Sequence, residues 1–129
     1  MSNLQFAFIN KNDVPTKESW QEAIDALGFK IKLELDPELK PLEDEGFCPC
    51  KLNEKDDDVG FEIYSEPAEN FFENANNLKE IAGSRDFVIM FRWGSSMGDL
   101  ACTMIACCAL AKSFGAVISY GGEASYPDY

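Results

Sequence analysis

The sequence predicts an α+β domain, a two-layer sandwich on a mixed sheet, and three observations lead there. Short apolar runs closed by Asn, Asp, Pro or Gly recur along the chain in the manner of strands. Between them stand segments whose apolar residues repeat at helical spacing. One stretch, 29–35, alternates Phe29, Ile31, Leu33 and Leu35 with Lys30, Lys32 and Glu34, the pattern of a strand buried on one face and wet on the other. A half-solvated sheet favours helices on one side. The expected order is therefore β-α-β, a loop, then β-α-β-α-β, with a three-layer α/β arrangement as the alternative. The 129 residues make one domain by length.

The first strand spans 4–9 and ends at Asn10-Lys11-Asn12-Asp13. Thr16 is placed to cap the first helix, in which Trp20, Ala23, Ile24 and Leu27 form the apolar stripe and Gly28 supplies the C-terminal stop. The second strand is 29–35, stopped by Asp36-Pro37. From there to position 59 the chain is acidic and contains prolines, and it reads as an irregular loop of a length often tied to function. Residues 60–64 form a third strand with Phe61 and Ile63 on one face. A helix opened by Pro67 follows, with Phe71, Phe72, Ala75, Leu78 and Ile81 or Ala82 as its stripe, ended by Gly83. The continuous apolar run 87–91 suits a central strand covered on both faces. A long apolar helix over 96–114 and a strand at 116–120 complete a βαβ crossover. The tail beyond Gly121-Gly122 is read as loose, with Tyr126 and Tyr129 at the surface.

Eleven basic residues stand against 23 acidic ones, a formal charge of -12. That sign argues against nucleic acid, whose phosphates such a surface repels, and fits a solubilising surface, a metal-attracting surface or the mate of a basic protein. No stretch approaches the roughly 20 apolar residues of a membrane helix. The opening Met1-Ser2-Asn3-Leu4-Gln5 lacks the basic and apolar regions of a signal peptide. Five cysteines, three of them within one apolar helix, suit reduced thiols and a cytoplasmic location, with no membrane partner. The chain has no histidine, which removes Ser-His-Asp and Cys-His catalysis and histidine metal sites from the chain acting alone. No catalytic residue, cofactor or metal is expected.

Four segments carry candidate chemistry. Arg92, Gly94, Ser95 and Ser96 lie where a strand hands over to a helix, a place suited to an anion held by helix amides, hydroxyls and a guanidinium. The alternative there is a glycine turn with a helix cap, Ser96 and Asp99 having capping-box spacing. The cysteines of the helix at 96–114 are read as small buried hydrophobes. Cys48-Pro49-Cys50 has neither the ligand number of a zinc site nor the usual redox spacing, and chance loop cysteines are the favoured reading. Glu43, Asp44 and Glu45 with Asp56, Asp57 and Asp58 concentrate negative charge on the loop and lack the ligand pattern of an EF-hand. With the aromatic Phe47 among them, they make a surface that attracts a basic partner over distance.

Gly46-Phe47, Gly60-Phe61-Glu62 and Phe91-Arg92-Trp93-Gly94 before a small-residue helix resemble segments of small acidic bacterial proteins of the immunity-protein type. The resemblance spans roughly 46–120 and implies a toxin as partner, without assigning residues to a site. The first expectation is thus an acidic protein-binding module, an immunity protein that neutralises a basic toxin. A small enzyme or anion-binding domain using the 92–99 turn is the second, and a homo-oligomeric structural subunit the third.

Overall fold

The computed structural model describes residues 3–53, 55–73, 79–94 and 96–120, with the backbone alone at 3, 55–58 and 120. The elements in order are β1 (Asn3–Ile9), a 3-10 turn (Lys11–Asp13), α1 (Lys17–Ala26), β2 (Leu33–Glu34), β3 (Gly46–Leu52) and β4 (Lys55–Pro67). Then come α2 (Ala68–Phe72), α3 (Lys79–Ala82), β5 (Phe87–Trp93), α4 (Met97–Phe114) and β6 (Val117–Tyr120). Six strands form one sheet in the order β2-β3-β4-β5-β1-β6. The class is α+β.

Every pairing is antiparallel, where a mixed sheet was expected. The reason lies in β1. Both β5 and β6 run antiparallel to it from opposite sides, so the two strands of the expected βαβ unit are parallel to each other without touching. The crossover through α4 is split by the first strand of the chain.

The 36–59 segment also departs from the expected loop, since it holds β3 and the start of β4. Cys48, Cys50 and Leu52 point inward and alternate with exposed Phe47, Pro49 and Lys51. Asn53, at φ 54, makes the turn between them, a left-handed conformation that asparagine tolerates. Pro49 fits because β2 pairs with β3 only at Leu33–Leu52 and Glu34–Lys51, leaving β3 nearly an edge strand where a missing N–H costs little.

The second strand is correspondingly shorter than its alternation suggests. Phe29 and Ile31 are exposed and lie outside it, while Leu33 and Leu35 are buried. The side-chain amide of Gln21 takes the ladder's place: its Nε2 donates to the Leu33 carbonyl at 2.8 Å and its Oε1 accepts from the Leu35 amide at 2.8 Å. A free edge is thereby closed by a helix residue.

α1 and α4 cover one face. Thr16 caps α1, its Oγ1 accepting from the Ser19 amide, and Gly115 ends α4 in the left-handed region at φ 73. Trp20 is fully buried and its Nε1 donates to the Ala106 carbonyl at 3.1 Å, which ties the two helices together. Phe91 sits edge-on to Phe61 and Trp20 with centroids 5.1 and 6.2 Å apart, pairs worth about 0.5–1.5 kcal/mol each beyond area burial. By length and composition α4 passes as a membrane span, 18 residues at mean hydropathy 1.3, although no unbroken apolar run suggested one. In this fold seven of its residues are buried, including Cys102, Ile105 and Leu110.

Among the described residues, the opposite face is covered in part. There α2 and α3 lay Phe71, Phe72, Ile81 and Ala82 on Phe6, Phe8, Val88 and Val117, adding a local third layer. Ala75 and Leu78 of the expected stripe lie outside the described residues.

Candidate functional site

Beyond the end of α2, no helix among the described residues covers the second face of the sheet. Antiparallel register aligns one residue from each of four strands into a row: Leu4 opposite Arg92, Arg92 opposite Glu62, and Glu62 opposite Phe47. Neighbouring strands are about 4.8 Å apart, so the row is about 14 Å long. Leu4 and Phe47 are exposed at its two ends, at 39% and 56%. Alternation along β5 and β4 dictates this face: Phe91, Trp93, Phe61 and Ile63 turn inward beneath the helices, leaving Arg92, Glu62 and Tyr64 outward.

The charged groups in the middle hold one another. Arg92 Nε lies 3.6 Å from Glu62 Oε2, and the Tyr64 hydroxyl donates to Glu62 Oε1 at 3.1 Å. That hydrogen bond raises the Tyr64 phenol above its usual 10.0, and the Glu62 and Glu45 charges add to the effect against Arg92. Phe47 lies over Gly60, where an added Cβ would come within 3.0 Å of its ring and run into the Cys48 carbonyl oxygen.

The residues singled out in the sequence fall in different places. Phe47 is on this second face, and Glu45 stands exposed just ahead of β3, close enough to act on Tyr64. Glu43 and Asp44 lie in a turn and engage Lys40: Asp44 Oδ2 accepts from its amide at 2.8 Å, and Glu43 pairs with its ammonium at 3.9 Å. That turn flanks a shallow cleft of about 450 Å³, whose other wall is Val14, Pro15 and the start of α1. Asp56, Asp57 and Asp58 are within β4, but their side chains lie outside the described residues, as do Tyr126 and Tyr129.

Among the described residues, the 92–99 turn does not bring Arg92 to the start of α4. Arg92 is on the second face, across the sheet from α4. Ser95 lies outside the described residues, and Gly94 is exposed. Ser96 caps α4, its Oγ accepting from the Asp99 amide at 3.0 Å. The Asp99 carboxylate accepts from the Gly60 amide at 3.0 Å. Continuing the β4–β5 register would bring Gly94 opposite Gly60, so this carboxylate closes the ladder where β5 has ended.

Cys48 and Cys50, expected in a loop, are buried in β3 beneath Cys102 of α4. Hydrogen bonds with Cys102 and Cys48, together with burial, push the Cys50 thiol up, which keeps it protonated and unreactive. Among the described residues no three His, Cys, Asp or Glu side chains meet in a way that could hold a metal ion. Leu4, Glu62 and Tyr64 were not singled out in the sequence. Their signal was parity, Glu62 and Tyr64 alternating with inward Phe61 and Ile63, and Leu4 with inward Gln5. The chain matches no protein-family model, no curated protein and no solved structure.

Proposed function

We propose that the chain is an acidic protein-binding module of the cytoplasm, an immunity-type protein that neutralises a basic toxin by covering it. The observation that carries this reading is the partly covered sheet face, with Leu4, Arg92, Glu62 and Phe47 in one row. Exposed aromatic and arginine side chains, as Phe47 and Arg92 are here, are enriched at protein interfaces. The formal charge of -12 supplies long-range attraction for a basic partner and repulsion for nucleic acid. The missing histidine narrows conventional acid–base catalysis to carboxylates, thiols and phenols.

The test is co-expression with candidate basic toxins, beginning with any basic protein encoded next to this chain, followed by size-exclusion chromatography and association rates at several salt concentrations. The expected result is a stoichiometric complex whose association slows as salt rises. A chain that elutes alone, with no effect on the toxicity of its neighbour, would remove the reading.

A further inference from the structure

α2 seats Phe71 and Phe72 on Phe6 and Phe8, and among the described residues no helix continues over the row below. Its ends are apolar and its middle is charged. The Arg92–Glu62 contact is a single long one at 3.6 Å with both side chains substantially exposed, 50% and 38%. A second cation can therefore approach Glu62 without breaking a buried pair. Around it Glu45 and Glu66 add negative charge, Glu66 following Glu62 and Tyr64 on the outward side of β4, against Lys51 on the outward side of β3. A second copy of this chain would bring -12 against -12, which like-charge repulsion opposes. Charge complementarity selects a basic occupant.

Building on the module reading above, we propose that this row is the contact surface, and that it takes a basic segment of the partner. The segment sets an arginine or lysine beside Glu62 and an apolar side chain against Phe47 or Leu4. Arg92 competes with that incoming cation for Glu62, while Tyr64 keeps the carboxylate oriented through its hydroxyl. The three side chains then carry different signs. Removing Glu62 charge weakens binding, removing the Phe47 ring weakens binding, and removing Arg92 tightens it.

The experiment is a titration of the isotope-labelled chain with a capped peptide of alternating arginine and leucine, followed by amide chemical shifts. A glutamate–leucine peptide is the control. The expected result is saturable shifts on β1, β3, β4 and β5 around the row, and none with the acidic peptide. Glu62→Gln and Phe47→Ala should each weaken binding about fivefold or more, and Arg92→Ala should tighten it about twofold or more. All three positions are outward, so retained amide dispersion verifies that each variant is folded.

Shifts centred on the Val14–Pro15 cleft, no saturable shift, or Arg92→Ala weakening binding would each overturn the assignment of the face. Failure of the face and failure of the module reading are separable. A basic protein that binds native chain and Glu62→Gln equally well leaves the module standing and removes the face. Absence of any stoichiometric complex removes the module.

Discussion

Gly98→Ala tests the seam between α4 and the β3–β4 hairpin. A Cβ at Gly98 would lie 2.6 Å from Val59 Cγ1 and 3.8 Å from Leu52 Cδ1. Carbon pairs settle near 3.5–4.0 Å, so the overlap with Val59 is about 1 Å. Val59 is β-branched on a strand and stiff at χ1, which obliges β4 or α4 to shift. Overpacking by one methyl costs about 1–3 kcal/mol. Alanine is the better helix former by about 1 kcal/mol in a helix interior, and by less at the second position of α4. The net expectation is a loss of about 1–2 kcal/mol, seen in urea unfolding as a lower midpoint at unchanged slope. Adding Val59→Ala should restore space, giving a coupling of about 1 kcal/mol or more between the two sites. A single Gly98→Ala variant that is more stable than the native chain would refute the contact, because propensity alone would then govern the position.

Three further outcomes follow from the same packing. Trp20→Phe removes the indole donor to the buried Ala106 carbonyl, which keeps its helical partner within α4, and unfolding by urea should show a loss of about 0.5–1.5 kcal/mol from the missing bond. Gln21→Ala deletes both bonds that close β2, so the Leu35 amide should exchange with solvent faster and stability should fall by about 1–2 kcal/mol. Tyr64, whose phenol is held above the usual 10.0 by its bond to Glu62, should ionise later than the same tyrosine in Glu62→Gln, as followed by tyrosinate absorbance in a difference titration. A raised folded value favours the protonated phenol, so this bond supports the fold below pH 10.0 and is lost as pH rises through the raised value.

The elements legible in the sequence are those whose local signals agree with their tertiary role. α4 shows its cap at Ser96 and its stop at Gly115, α1 its cap at Thr16, and β5 its unbroken apolar run. The β3–β4 hairpin was hidden because Pro49 and the acidic run before Val59 are poor strand formers, and its strand state comes from pairing Cys48 with Phe61 and Cys50 with Val59. At 29–35 the opposite happened. The alternation is strand-like, yet β3 offers pairing only at Lys51 and Leu52, and the rest has no ladder to join. Of the site, Phe47 was visible as an aromatic among charges. Glu62, Tyr64 and Leu4 acquire meaning only from a register that local sequence does not encode.

Gly60 joins the two segments that the sequence had offered as separate sites. On the helix side its amide donates to Asp99, which anchors the first turn of α4 at the end of β5. On the outward side its missing Cβ leaves the space that the Phe47 ring occupies. The glycine turn of 92–99 is thus linked to the outward face of the sheet through β4, the strand under Phe47. Gly60→Ala separates these roles, because the clash with the Cys48 carbonyl is backbone and cannot be relieved by a rotamer change. It should lower stability by about 2 kcal/mol or more, and displace the Phe47 ring from the sheet. Asp99→Asn, by contrast, keeps an acceptor for the Gly60 amide and should leave Phe47 in place. If aromatic shifts of Phe47 moved equally in both variants, Asp99 charge rather than the space at Gly60 would govern the face.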